Sequence, residues 1–238
     1  KEYAETIRKQ WGKMGLSLDY SRECFTLDEK RNEAVRTVFT TLYEKGLIYR
    51  KEKIINWDPV LKTALSNIEV IYKEDPGKMF YFKYYVEGTD KYVVVGTTRP
   101  ETMFGDVAVV VNPKDERYKW LEGKKLINPA NDEPLQVIYD HYVDIEFGTG
   151  AMKCTPAHDP NDYNLGVKYK LDMIVCMNED ATMNEKAGKY VNLDRYECRK
   201  QLVEEIKEKG LLDHIEEIVH QVGHSERSDA IVEPYLSK

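Results

Sequence analysis

Cysteine is scarce in this chain: 238 residues hold four, Cys24, Cys154, Cys176 and Cys198, scattered with no C-x-x-C pair. Zinc ligands normally come in closely spaced pairs, so the spacing argues against a zinc ribbon. A chain of this size needs no disulfide to hold a core, and reduced thiols are the simpler reading. No run approaches the roughly 20 apolar residues that span a membrane, so no membrane partner is expected. No basic leader followed by an apolar run opens the sequence, so a secretory signal is not expected either and the expected location is the cytoplasm. The sequence opens directly in helix-like residues, as an internal segment of a longer protein would. Positive charge is also short: 42 Asp and Glu against 35 Lys and Arg give a net charge of -7. General nucleic-acid binders carry a basic footprint, because phosphate neutralisation supplies most non-specific affinity. The balance argues against a free-standing RNA binder, while leaving room to hold one RNA end locally. Phenylalanine is rare beside tyrosine, 6 against 17, which favours aromatics with one end at water.

What is present suffices for a core, with 42% hydrophobic residues. Residues 3–14 read as a short helix stopped near Gly15. Thr26, with Glu29 three positions on, reads as a capping box for a second helix. Val35, Val38, Phe39, Leu42 and Tyr43 then fall on one helical face, and Lys45-Gly46 ends it. This face needs a partner surface. Ile48–Trp57 reads as extended, broken at Asp58-Pro59. Met79–Val86 and Tyr92–Val95 read as a hairpin turned at Glu87-Gly88. Val107–Val111, Leu135–Tyr139 and Met173–Met177 are further strand candidates. Helices are expected at Asp162–Tyr169 and Asp194–Lys209, the latter capped by Asn192, stopped by Gly210 and acidic enough to be a solvated face. Many strands with few helices predict an α+β domain built on a β-barrel. The expected division is a helical flank over 1–62, a barrel over 63–217 and a return linker over 218–238.

Three segments could carry chemistry. Gly96-Thr97-Thr98-Arg99-Pro100-Glu101-Thr102 follows a strand and is rich in hydroxyls. It reads equally as a capping box, Thr98 with Glu101, or as a wall whose hydroxyls and free N–H groups meet an anionic or carbonyl ligand. Phe147-Gly148-Thr149-Gly150 lets backbone approach a ligand closely, although a bulge or turn explains it as well and Phe147 could be core. Lys153-Cys154-Thr155-Pro156-Ala157-His158-Asp159-Pro160-Asn161-Asp162-Tyr163 is the densest. Asp159 reads as a helix cap, Pro160 as the first helical residue and Asp162 as an acid in the first turn. Paired carboxylates near a lysine can also bind an ammonium group and orient water. His158 reads as a structural hydrogen-bonder or a general base. His214, His220 and His224 do not share metal-site spacing.

In this order the three segments resemble the editing domains of the valyl, isoleucyl and leucyl-tRNA synthetases. The flanks agree: Ile54-Ile55-Asn56-Trp57-Asp58-Pro59 resembles the stretch before the editing insertion, and Gly223–Ser228 with Val232–Ser237 resembles the return to the catalytic core. The resemblance covers essentially the whole chain. Isoleucyl and leucyl enzymes usually carry P-G-H where this chain has Pro156-Ala157-His158, and isoleucyl enzymes tend to have His where Lys153 stands; both details match the valyl pattern. The HIGH-type and KMSKS-type ATP signatures of the synthetic core are missing. ATP and magnesium would then belong to a catalytic core outside this segment, and editing itself is expected to need no cofactor and no metal.

The resemblance implies hydrolysis of threonine wrongly attached to valine tRNA, and of threonyl-adenylate as an open alternative. Valyl enzymes facing threonine are themselves the standard case of limited selectivity, since an apolar pocket rejects the added hydroxyl only about 100-fold. A second, polar site can select threonine because valine would leave its groups unpaired, at about 1–3 kcal/mol each. By the family pattern Asp162 anchors the substrate ammonium, and Lys153, Thr155 and Asp159 surround the side-chain hydroxyl and ester. Thr97, Thr98 and Arg99 line the other wall, His158 belongs to the substrate-binding set, and Phe147, in the Gly148-Thr149-Gly150 loop, stacks on the terminal adenosine. Positioned water and electrostatic stabilisation would do the chemistry, with no covalent intermediate. The implied partners are the 3′ end of valine tRNA and the remainder of the synthetase. Rival readings are a non-catalytic spacer of the same fold and an isoleucyl or leucyl editing domain.

Overall fold

A computed structural model describes residues 2–238. They form two compact units, one ending at Lys51 and one spanning Glu52–Lys238.

The first unit holds α1 (Glu2–Lys13) and α2 (Glu29–Glu44). Arg8 of α1 pairs with Glu23 at 2.7 Å. Asp28, not Thr26, caps α2: its carboxylate accepts the Arg31 N–H at 2.9 Å. A carboxylate one position before the helix both reaches that donor and favours the positive end of the helix dipole. Lys45 closes α2 as expected, followed by Gly46 in the left-handed region. The apolar stripe read from the sequence is exposed at Val35, Val38, Phe39 and Tyr43.

The second unit is mixed α+β with three small sheets. The first orders β10-β1-β2, with β1 at Lys53–Asp58, β2 at Thr63–Leu65 and β10 at Glu233–Ser237. Asp58 ends β1 by turning its carboxylate onto the N–H groups of Val60 and Leu61 and the hydroxyls of Ser225 and Ser228. Because β1 pairs with both neighbours, the compact unit starts ahead of the 62/63 boundary read from the sequence.

The second sheet orders β4-β3-β9, with β3 at Val70–Tyr85, β4 at Tyr92–Thr97 and β9 at Leu212–Ser225. It contains the expected hairpin. β9 runs unbroken through Glu217, where the sequence marks the start of a linker. The third sheet orders β6-β7-β5-β8: β5 (Ala108–Val111), β6 (Lys125–Ile127), β7 (Pro134–Tyr139) and β8 (Ala151–Cys154). β5 runs parallel to β7 and antiparallel to β8.

β5 explains how the layers join. All four residues are buried, as a strand covered on both faces requires. Val109 and Val111 enter the main core with Phe82, Tyr84, Val95 and Met103. Ala108 and Val110 enter a second core with Cys154 and with Leu165 of α3 (Pro160–Tyr169).

Two sequence expectations give way here. Met173–Met177 forms no strand; Met177 makes only an isolated bridge to Met183. The last helix, α4 (Arg195–Glu208), is capped by Asp194, which accepts the Tyr196 N–H at 2.8 Å. Asn192 instead adopts a left-handed turn with φ 66°. Nor is α4 only a solvated face, since Cys198, Leu202, Val203 and Ile206 are buried in the main core.

Candidate active site

The antiparallel register of β5 and β8 pairs Ala108 with Cys154, whose carbonyl accepts the Val107 N–H. That pairing brings Asp106, two residues before β5, within reach of Thr155, just after β8. The Thr155 hydroxyl donates to Asp106 Oδ1 at 2.5 Å. Lys153 reaches the same pair from β8: its Nζ lies 3.0 Å from Asp106 Oδ1, donates to Thr102 Oγ1 at 2.9 Å, and also donates to the Thr155 oxygen. Tyr84 OH donates to the other Asp106 oxygen at 3.2 Å. Asp106 is fully buried as a side chain and Lys153 is 11% exposed. Burial alone would strip the lysine of its proton, but Asp106 and Asp162 hold it charged.

β4 packs against β8 and brings up the facing wall. The backbone leaves β4 at Thr97, whose Oγ1 accepts the Arg99 N–H at 3.0 Å, and enters a short 3-10 helix at Pro100–Gly105. No side chain caps that helix, which corrects the capping-box reading of Thr98 with Glu101. Glu101 is buried and has a stronger partner, accepting both Nε and Nη2 of Arg199 at 2.7 Å. Gly105 lets the turn close on the site, because a Cβ there would meet the Ile174 carbonyl oxygen at 2.7 Å and Thr155 Cγ2 at 3.1 Å. Arg99 crosses between the walls: its Nη1 donates to the His158 carbonyl at 3.0 Å.

Asp159 caps α3 as read from the sequence, accepting the N–H groups of Asn161 and Asp162 at 2.7 and 3.1 Å. Asp162 Oδ2 accepts the Thr155 N–H at 2.7 Å. Burial, then the neighbouring Asp159 charge, pushes the Asp162 carboxyl up to about 7. His158 is buried, and its Nε2 accepts the Cys176 N–H at 2.9 Å. That bond places the ring proton on Nδ1 and occupies the one lone pair that could take a proton. Burial, with Arg99 and Lys153 nearby, depresses the ring to about 3. The geometry favours the structural reading of His158.

These residues line one cavity of about 240 Å³: Gly96, Thr97, Thr98, Arg99 and Thr102 on one side, and Lys153, Thr155, His158, Asp159 and Asp162 on the other, with Met79 and Met152 between. A larger depression of about 510 Å³ beside the β3–β4 turn has no comparable convergence of charge. The second sequence segment, Phe147–Gly150, stands apart from the cavity wall. Phe147 is 74% exposed, which corrects the core alternative for it. Thr149 accepts Tyr118 OH at its carbonyl. Gly150 has φ 74°, and a Cβ there would meet Arg117 Nη2 at 2.4 Å.

The family described as tRNA synthetases class I (I, L, M and V) matches residues 1–222. The chain belongs to that family. It is 60% identical over 237 residues to the valine–tRNA ligase of Oceanobacillus iheyensis, covering 100% of this chain and 27% of that protein. It is 61% identical, with the same coverage, to the valine–tRNA ligase of Halalkalibacterium halodurans. The chain thus spans about 27% of the length of the curated relatives it matches. Among solved structures, the ternary complex of Agrobacterium radiobacter K84 agnB2 LeuRS, tRNA and LeuAMS aligns with TM-score 0.47 at 18% identity, over 92% of this chain and 36% of that one.

Sequence reasoning within this family missed Asp106, Met79 and Met152. Asp106 had a signal: a lone acid between Gly105 and the apolar run Val107–Val111. An acid at the start of a strand buried on both faces must be paired or neutralised. The two methionines carried none, since only the register places them at the cavity.

Proposed function

We propose that this cavity is the editing site of a valine–tRNA ligase and hydrolyses threonine misattached to valine tRNA, as an aminoacyl-tRNA hydrolase. The observation that carries this reading is the meeting of Thr97-Thr98-Arg99 with Lys153–Asp162 around one small space lined mostly by polar side chains. Its volume suits a single aminoacyl group rather than a drug-sized ligand. Asp162, which becomes a carboxylate as pH passes about 7, anchors the substrate ammonium beside the cap carboxylate of Asp159. Lys153, braced by Asp106 and Thr155, faces the ester and stabilises the oxyanion that develops as water attacks. The hydroxyls of Thr97, Thr98, Thr102 and Thr155 offer partners to the threonine hydroxyl that valine leaves unpaired. Phe147, exposed on its loop, stacks on the terminal adenosine.

The unit serves as the barrel-type editing domain, working with valine tRNA and with the rest of the synthetase in the cytoplasm. The chemistry uses water and the chain's own side chains. ATP and magnesium serve ligation in the remainder of the parent enzyme. Deacylation of threonyl-tRNA(Val) tests this, beside valyl-tRNA(Val) and an Asp162→Ala control. Loss of threonine alone, abolished by the substitution, supports it. Absence of turnover, both by the chain and by a full-length valine–tRNA ligase carrying it, would favour a spacer. Turnover of valyl-tRNA(Ile) instead would favour an isoleucyl editing site.

A further inference from the structure

Behind the Arg99 wall lies a row of buried or half-buried charges of alternating sign. Arg199 grips Glu101 through two bonds of 2.7 Å. Glu101 Oε1 lies 3.6 Å from Arg99 Nε. Arg99 Nη2 donates to Glu233 Oε2, and the other oxygen of Glu233 lies 3.0 Å from Arg195 Nη1. Three arginines thus enclose two carboxylates, with Glu101 and Glu233 both buried. Arg99 is the member that reaches the cavity, where it bonds to the His158 carbonyl.

Glu233 is unusual for where it comes from. It opens β10 and sits opposite Trp57 of β1, in the sheet that supplies none of the described residues lining the cavity. Its carboxylate is the one contact from that sheet to Arg99 among the described hydrogen bonds. Without it, the guanidinium would turn toward Glu101 and compete with Arg199, because a buried guanidinium follows its strongest anion. That rotation would release the His158 carbonyl, one residue before the Asp159 cap that sets Asp162.

Resting on the editing reading, we propose that Glu233 is a positioning residue: it holds Arg99 against the His158 carbonyl and so sets the spacing between the two walls that grip the threonyl ester. The walls come from segments far apart in sequence; Arg99 spans them at His158, as Lys153 does at Thr102. Glu233 fixes its third corner.

The test uses a full-length valine–tRNA ligase carrying this segment, with threonyl-tRNA(Val) as substrate. Glu233→Gln keeps shape and removes charge. It is expected to lower kcat for deacylation at least about tenfold, since small misplacements cost that much or more, while KM for the tRNA stays within about twofold. Glu233→Asp should recover part of the loss, and Arg99→Lys combined with Glu233→Gln should be no slower than Arg99→Lys alone. A parental rate in Glu233→Gln, a loss confined to KM, or losses that multiply in the double variant would overturn the proposal. A second measurement needs no activity. In 15N spectra of the 238-residue chain, the Arg99 guanidinium, identified by its disappearance in Arg99→Lys, should show resolved Nη signals. Glu233→Gln should collapse them and shift the Thr155 and Asp162 amides; unchanged spectra would overturn the proposal. If the parent ligase deacylates nothing, the editing reading falls while the spectra still decide on Glu233. Should Glu233→Gln fail to fold, as read by its Tm, Glu233→Asp is held to the same spectral criteria.

Discussion

Phe147 and Lys153 stand a few residues apart in the chain, and the fold gives them opposite surroundings. Phe147 projects from a turn with most of its ring in water. Lys153 is mostly covered and shares its ammonium among Asp106, Thr102 and Thr155. Both segments drew attention in the sequence for the same reason, polar and small residues packed closely together. The difference teaches what each can contribute. A desolvated charge with three fixed partners acts strongly and tolerates little change. An exposed ring on a loop adds contact area when a ligand arrives and costs little when absent.

That contrast can be broken at several points. Asp162→Ala should reduce threonyl-tRNA(Val) deacylation by about 100-fold or more, the scale of losing a preorganised electrostatic contact; a smaller fall would mean that Asp159 anchors the ammonium. Lys153→Ala strands the Asp106 carboxylate in the interior and should cost about 3–5 kcal/mol of stability, read by denaturant unfolding. A cost near zero would show water reaching Asp106 and would erase the distinction between the two segments. Gly150→Ala should destabilise by about 1–2 kcal/mol through its left-handed φ, and more where Arg117 cannot move aside. The smallest effect is expected at the exposed ring. Phe147→Ala should leave stability within about 0.5 kcal/mol yet weaken binding of the tRNA 3′ end by about 1–3 kcal/mol, seen as a raised KM.

pH sharpens the same comparison, because only the buried segment carries displaced protons. Deacylation should rise as pH passes about 7, where Asp162 becomes the carboxylate that an ammonium needs. The sign for stability is opposite. A carboxyl held near 7 in the folded chain, against about 3.9 when unfolded, contributes fully below about 4 and loses that contribution as pH rises through about 7. His158, depressed to about 3 from about 6.5, contributes above about 6.5 and loses it as pH falls toward 3. Asp162→Asn should therefore flatten the fall in Tm between about pH 4 and 7, while Phe147→Ala leaves the profile unmoved.

Much of the fold could be read from the sequence where local chemistry decided it. The β3–β4 hairpin had alternating aromatics and a turn, β5 was a continuous apolar run, and α3 announced itself through Asp159-Pro160. Three caps went elsewhere than read, for two reasons. Thr26, Asn192 and Thr98 are plausible caps by type, yet Asp28 and Asp194 stand nearer to the donors they serve, and Glu101 was drawn off by Arg199. At Glu101, capping lost to a tertiary ion pair that composition does not reveal. Met173–Met177 had strand-like residues and no neighbour to pair with beyond Met183. At the candidate site both walls were readable as segments. Their meeting was not, because Asp106 reaches Thr155 only through the β5–β8 register, and Glu233 reaches Arg99 from another sheet altogether.

The long β3–β9 pairing carries a further consequence. β4 covers β3 only from Phe80 onward, and Ala230–Val232 cover β9 at Gly223–Ser225, so among the described residues Lys73–Met79 and Glu216–Val222 form a ribbon with no further strand on its outer edges. Bare edges invite strands from other chains. Here they are studded with Lys73, Glu74, Asp75 and Lys78 on one strand and Glu216, Glu217 and His220 on the other, and Pro76 withholds an N–H opposite Val219. An arriving strand would have to bury those charges and lose a rung at the proline. The ribbon is therefore built to remain two strands wide in a crowded cell, whatever the chemistry at its far end.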